Sequence, residues 1–238
     1  MGQTEPAEAL RQTAHDRVYR ELRARLIGGR MAPGRSVTLR GLAAELGVSP
    51  MPVREAVGRL VAERALEMKA NRRVSVPEMT PRDIAELVFA REALEPEAAR
   101  RALAGIDRKA VARLRRTDDE LEQHLQLGNV EGYVAANHAF HFTIYRACGS
   151  AVLVPLIESL WLRIGPFMRV VYGRIGTNWV VDHHEAAIRA IEGGDAEALA
   201  LAIRDDIREG MGLMTGGSLQ ADAPETGQGE AALTRGGL

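Results

Sequence analysis

Apolar residues recur every three to four positions along most of this chain, and the recurrences stop at glycines. Val18, Leu22, Leu26 and Ile27 form one stripe, ended by Gly28-Gly29. Leu39, Leu42, Ala43 and Leu46 form a shorter one ended by Gly47, and Val53, Val57, Leu60 and Val61 a third. This spacing predicts three helices. Beyond them, Leu66–Lys69 and Val74–Val76 can pair as a small hairpin across Ala70-Asn71-Arg72-Arg73. From Pro81 the pattern lengthens into six helical segments, at roughly 81–104, 107–127, 129–148, 151–172, 178–193 and 195–214, with no strand between them. The expected fold is mainly α: an N-terminal winged helix-turn-helix plus a C-terminal antiparallel helical bundle of about six helices.

The domain reading follows from these breaks. Residues 1–14 lack periodicity and are expected to be a flexible lead-in. Residues 15–78 form the winged domain and 79–214 the helical domain, divided near Pro77–Pro81. The tail, 215–238, is Gly-rich and poor in large apolar groups, so it cannot bury enough surface to offset its ordering entropy and is expected to be disordered.

One stretch resists the helical pattern. SPMPVREA, Ser49 to Ala56, carries two prolines where a helix should run. Proline costs about 3 kcal/mol in a helix interior, but nothing in the first turn, where amides lack intrahelical acceptors. With Ser49 as N-cap, Pro50 and Pro52 fall at the first and third helical positions and mark where the helix begins. Ser49 can then cap only the Met51 amide, because Pro52 has none.

Composition adds three constraints. Hydrophobic residues make up 46% and aromatics only 4%, so the core is aliphatic and favours helices. The single cysteine, Cys148, excludes an internal disulfide framework and suggests a reducing compartment. No apolar run reaches 18 residues and no signal-peptide pattern is present, so the expected location is cytoplasmic, with no membrane contact. The net charge of −1 hides an asymmetry. Arg11 to Glu78 holds 14 basic against 7 acidic residues, and Met79 to Leu238 holds 17 against 23. A basic front on an acidic body suggests that the front meets a polyanion.

A winged helix-turn-helix can place the start of its third helix against base edges in the major groove, while Arg72 and Arg73 at the hairpin tip reach phosphates. The stretch GGRMAPGRSVTLRGLAAELGVSPMPVREAVGRLVAERAL resembles the DNA-binding domain of the GntR family of bacterial transcriptional regulators. Its marks are a G-x-x-x-P-G turn, LA-x-x-L-G-V-S, and PVREA. The resemblance implies that Arg40 and Arg54 contact double-stranded operator DNA, with Ser49 at the turn. Family members often carry an arginine directly after that serine and a glycine at the wing tip; here Pro50 and Asn71-Arg72-Arg73 stand instead. Met51 becomes the side chain nearest the bases, suited to a thymine methyl. The alternative is that Arg54 pairs with Glu55 or Glu63 and the domain binds protein.

In the helical block, Asn137 and His141 share one helix face, His184 opens an apolar stripe, and Asp206 lies on the last helix. Such groups from facing helices can enclose a divalent metal, although histidines at these spacings are also compatible with satisfied core groups. From about Pro81 to Met214 the block is similar to the FCD effector domain of the FadR subfamily, on the marks Arg91-x-x-Leu94-Glu95, NHAFH and HHEAAIRAIEGGD. The resemblance implies a zinc or nickel site of one Asp and three His. In this chain Asn137 replaces the Asp and Asp206 one His, so the set is Asn137, His141, His184 and Asp206. His183 and His138 are spare neighbours, and His138 is expected to face away.

The resemblance also implies a small carboxylate effector, with Arg91 the better and Arg169 the weaker candidate to meet it. The alternative for Arg91 is a pair with Glu95 one turn on. Trp161, Tyr172 and Trp179 stand out in a chain poor in aromatics, and aromatics at helical spacing usually belong to a core.

Together these readings point to a ligand-responsive, sequence-specific DNA-binding regulator, by resemblance a repressor, acting as a homodimer and not as an enzyme. The alternatives are a helical-bundle metalloenzyme or a protein-interaction adaptor with a winged-helix head. No general base stands beside the histidine pair to serve the first of these.

Overall fold

The computed structural model describes residues 5–175 and 183–215, with side chains over 15–172 and 183–212. The front domain comprises α1 (Glu5–Ile27), β1 (Val37–Thr38), α2 (Leu39–Glu45), α3 (Pro50–Ala62), β2 (Glu67–Met68) and β3 (Arg73–Ser75). Val18, Leu22 and Leu26 of α1 are buried with Leu42 of α2 and Val53, Val57 and Leu60 of α3 in one core. The three strands order as β1-β3-β2, antiparallel, with Val37 opposite Val74 and Met68 also opposite Val74.

Three details depart from the sequence expectation. Helix α1 begins at Glu5, so 5–14, expected as a flexible lead-in, is its first part. The wing gains β1 as a third strand, two residues long and without alternation to betray it. Ser49 is the N-cap of α3 by backbone conformation, but its side chain makes no capping hydrogen bond, because the usual donor at the third position is Pro52. The expected tail after 215 and Trp179 lie outside the described residues.

The second domain is the six-helix block: α4 (Pro81–Ala102), α5 (Arg108–Gln126), α6 (Val130–Ala147), α7 (Leu153–Ile175), α8 (His183–Gly193) and α9 (Ala196–Thr215). Their starts follow local chemistry. Thr80 and Asp83 form a capping box ahead of α4, with Pro81 in the first turn. Asp107 accepts from the Ala110 amide and Asn129 from the Gly132 amide, opening α5 and α6. Helix α4 packs most extensively along α9, and α5 along α6. No helix among the described residues is long and apolar enough to cross a membrane.

Two of the joints between the domains bear on the site. One is the short segment 76–80 between β3 and α4. The other is the end of α1 on α7, where Gly165 lies so close that a Cβ there would come within 2.7 Å of the Ile27 carbonyl oxygen. Beside it, Arg23 of α1 donates to Glu158 of α7 at 2.9 Å.

Candidate functional site

The outer face of α3 is set by the burial of its other face. Val53, Ala56, Val57 and Leu60 point inward, which turns Met51 and Arg54 to solvent; Met51 is 60% exposed. Arg40 projects from α2 and is exposed as well. Neither Arg40 nor Arg54 has an ion-pair or hydrogen-bond partner among the described residues. The acids that could have neutralised Arg54 are engaged elsewhere: Glu55 with His15, and Glu63 as acceptor for the Tyr19 hydroxyl. Other arginines of the domain are used internally. Arg59 lies 3.7 Å over the Tyr19 ring, and Arg25 joins Glu21 to Glu45.

The two arginines of the wing tip part company. Arg72 is exposed and occupies the left-handed region at φ 59°, the place a glycine fills without strain. Arg73 turns back, donating from Nε to Ser36 Oγ at 2.9 Å and from a terminal nitrogen to the Ser36 carbonyl at 2.6 Å. It fastens the wing to the segment before β1 and is not available at the tip.

Inside the second domain, α6, α8 and α9 bring His141, His184 and Asp206 together, with one potential ligand atom from each lying within 4.8 Å of the others. His141 Nε2 is 3.1 Å from Asp206 Oδ2, and His184 Nε2 is 3.7 Å from Asp206 Oδ1. Asn137 completes the group, its Oδ1 3.1 Å from His184 Nε2. Donors about 2.1 Å from a tetrahedral ion stand about 3.4 Å apart, so the observed spacings bracket that value.

The donor set suits a metal on a further ground. His141 Nε2 is fully buried and has no hydrogen-bond partner, because Asp206 lies beside it but off the hydrogen-bonding direction. A buried polar atom left so costs about 1–3 kcal/mol. Burial pushes the Asp206 carboxyl up, but His141, His184 and Arg91 outweigh it and hold the group well below the usual carboxylate range.

A second layer of contacts surrounds this cluster. Asp118 Oδ1 of α5 lies 3.6 Å from His184 Nδ1. On the other side His141 Nδ1 is 3.0 Å from the Tyr145 hydroxyl, which donates to Glu95 Oε2 at 2.7 Å. Arg91 donates to both Glu95 oxygens, at 2.6 and 3.2 Å, with both side chains buried and its guanidinium over the Trp161 ring. Arg91 is thus committed to Glu95, the pairing that its spacing allowed. Arg169 sits instead at the α1–α7 joint, 3.3 Å from Glu131. Trp161 and Tyr172 are core residues, the latter edge-on to Tyr133.

His138 turns away from the cluster. It stacks on Phe142 and lines a cleft of about 790 Å³ between α1, α6 and α7, together with Arg20, Arg23 and Glu158. Burial, with Arg146 and His141 nearby, lowers its pKa to about 3. His183 pairs with Glu209 at 2.8 Å. Asp118 and Tyr145 were not singled out from the sequence. Tyr145, one turn after His141, could have been found by spacing, whereas Asp118 carries no such signal.

Comparison with known proteins places both domains. Residues 14–76 match the family described as "Bacterial regulatory proteins, gntR family", and residues 86–209 match the FCD domain. The chain is 28% identical over 200 residues to the HTH-type transcriptional regulator McbR of Escherichia coli, spanning 83% of this chain and 90% of that protein. It is 29% identical over 169 residues to a protein of Paenarthrobacter nicotinovorans named "Probable D-xylose utilization operon transcriptional repressor", spanning 71% and 74%. Among solved structures, E. coli McbR/YncC aligns with a TM-score of 0.80 at 27% identity, over 85% of this chain and 97% of that one. A GntR regulator from Rhodococcus sp. RHA1 shares the fold, with a TM-score of 0.70 at 23% identity over 86% and 98%.

Proposed function

Because the chain belongs to the GntR family of bacterial regulatory proteins, with an FCD domain behind its winged helix, it is a DNA-binding transcriptional regulator and not an enzyme, and we propose that it is a repressor whose helical domain senses a small organic acid through a divalent metal ion. Arg40 and Arg54 are the DNA-contacting arginines in this reading, Arg72 reaches a phosphate, and Met51 meets a thymine methyl. Ser49 sets the turn through its backbone. The protein acts as a cytoplasmic homodimer, because two α3 helices one DNA turn apart give affinity that one cannot.

His141, His184, Asp206 and the amide oxygen of Asn137 are the residues that would hold the ion. The observation that carries this reading is the buried, unpartnered His141 Nε2 facing Asp206. Zinc is the ion we assign, with nickel the second choice, since imidazole nitrogens suit both. When bound, it would supply Lewis-acid affinity for a carboxylate oxygen. Asp118 orients His184, and Tyr145 orients His141. Differential binding of the acid to two domain arrangements would couple the site to DNA by about 1–3 kcal/mol.

The test is a mobility shift on the DNA upstream of the chain's own coding region, at fixed salt, with a panel of mono- and dicarboxylic acids, alongside metal analysis of protein never exposed to chelator. The expected result is about one ion per chain and one acid class that releases the DNA. Metal-free protein whose DNA binding no acid alters would end the reading.

A further inference from the structure

The Tyr145 phenol stands between two groups that both claim its hydroxyl, His141 Nδ1 at 3.0 Å and Glu95 Oε2 at 2.7 Å. A phenol has one proton. We propose that Glu95, which touches no member of the metal cluster, is a positioning residue that dictates which nitrogen of His141 faces that cluster.

The argument runs along the hydrogen-bond chain. Arg91 has only donors, and it spends two of them on Glu95 in a bidentate pair. The ionised carboxylate has only acceptors, so the Tyr145 proton must point to it. The Tyr145 oxygen is left with lone pairs, so His141 Nδ1 must carry the hydrogen. Asp206 Oδ2 competes as an acceptor on the other side of the ring, but a neutral ring has one hydrogen, and with that hydrogen on Nδ1 the lone pair resides on Nε2. Nε2 is the atom that faces Asp206 at 3.1 Å without a hydrogen bond. Reversing the chain would place a hydrogen there and block coordination. The order Arg91, Glu95, Tyr145, His141 therefore prepares Nε2 as a ligand before any ion arrives. The buried pair on α4 thereby gains a purpose beyond stability, which such pairs seldom justify by themselves. This inference rests on the metal reading above for its function, but the tautomer it asserts belongs to the metal-free protein.

Glu95→Gln tests it with little change of shape. Arg91 still needs an acceptor, so the carbonyl of the introduced amide turns to Arg91 and the amide nitrogen donates to Tyr145. The phenol then donates to His141 Nδ1, and the hydrogen moves to Nε2. Nitrogen-15 histidine spectra of the full-length, metal-free protein read this directly, with His141 assigned by its absence in His141→Gln. Wild type should show the Nδ1–H form and Glu95→Gln the Nε2–H form. Zinc affinity should fall 10–100-fold in the variant, the effect usual for loss of such a supporting contact. An Nε2–H wild type, or a folded Glu95→Gln with the wild-type tautomer, would overturn the proposal. If the variant does not fold, Tyr145→Phe decides: loss of the single Nδ1–H form is expected, and its retention refutes the idea. Wild-type protein that takes up no zinc yet shows the Nδ1–H form would sink the metal reading alone.

Discussion

Gly165 of α7 lies against the last turn of α1, so close that a Cβ at 165 would fall 2.7 Å from the Ile27 carbonyl oxygen and 2.8 Å from the Ile27 Cα. Both obstacles are backbone, which cannot swing aside. Gly165→Ala is expected to lose about 1–3 kcal/mol of stability, the usual cost of overpacking, and to loosen the joint between the domains. Urea unfolding followed by circular dichroism measures the first, and tryptic cleavage near Gly28 the second. An unchanged midpoint with unchanged cleavage would mean that the close approach does not hold the domains together.

Two arginines of the front domain should behave as opposites. Arg54→Ala removes an exposed side chain without partners, so its melting temperature should match wild type while operator affinity falls by about 1–3 kcal/mol. Arg73→Ala breaks the clasp on Ser36 and should cost about 1–2 kcal/mol of stability. Thermal melts and mobility shifts on the same preparations separate the two; Arg54→Ala binding as tightly as wild type would remove Arg54 from the reading face.

Asn137→Asp adds a second carboxylate to the cluster. Zinc affinity should rise about tenfold, and metal-free stability should drop, because the new charge sits near Asp206 without a cation between them. Calorimetric zinc titration, with and without the substitution, decides it. Equal affinity would place residue 137 outside the coordinating set.

Acidification should weaken the fold through His138. Its pKa is lowered to about 3 by burial, with Arg146 and His141 adding to the shift, whereas an unfolded histidine titrates near 6.5. Between those values the unfolded chain binds a proton that the native one does not. Stability is therefore complete above about pH 6.5 and declines as pH falls, by up to about 1.4 kcal/mol per unit. His138→Gln should flatten this slope in urea midpoints measured from pH 7 to pH 4. Parallel curves would assign the acid sensitivity elsewhere.

The helices were legible because they bury stripes at helical spacing and several stop at a glycine, as at Gly128, φ 63°, and Gly149, φ 64°, although α3 ends without one, at Arg64 with φ 57°. The early turns of α1 were not, since apolar spacing starts only at Val18. Strand β1 is too short to alternate. Arg72 and Arg73 cannot be told apart in sequence; the strand that begins at Arg73 sends its side chain back to Ser36. The members of the metal cluster could be named from two helical spacings and a resemblance. Of their supports only Tyr145 lies at helical spacing; Asp118 reaches His184, and Glu95 reaches Tyr145, across helix interfaces that no local pattern encodes.

Helix α4 carries Arg91 at its middle and Glu95 one turn on, and meets the wing within six residues of Ser75, through a junction stiffened by the Thr80–Asp83 box. Mechanically it is a lever. From Glu95 to Pro81 the arm is about 21 Å at the helical rise. A tilt of about 10° about Glu95 would carry the wing junction about 3.7 Å, close to one base step of about 3.4 Å. A rearrangement of that size, taken up along the α4–α9 interface, would thus move the reading head by a full letter of the DNA.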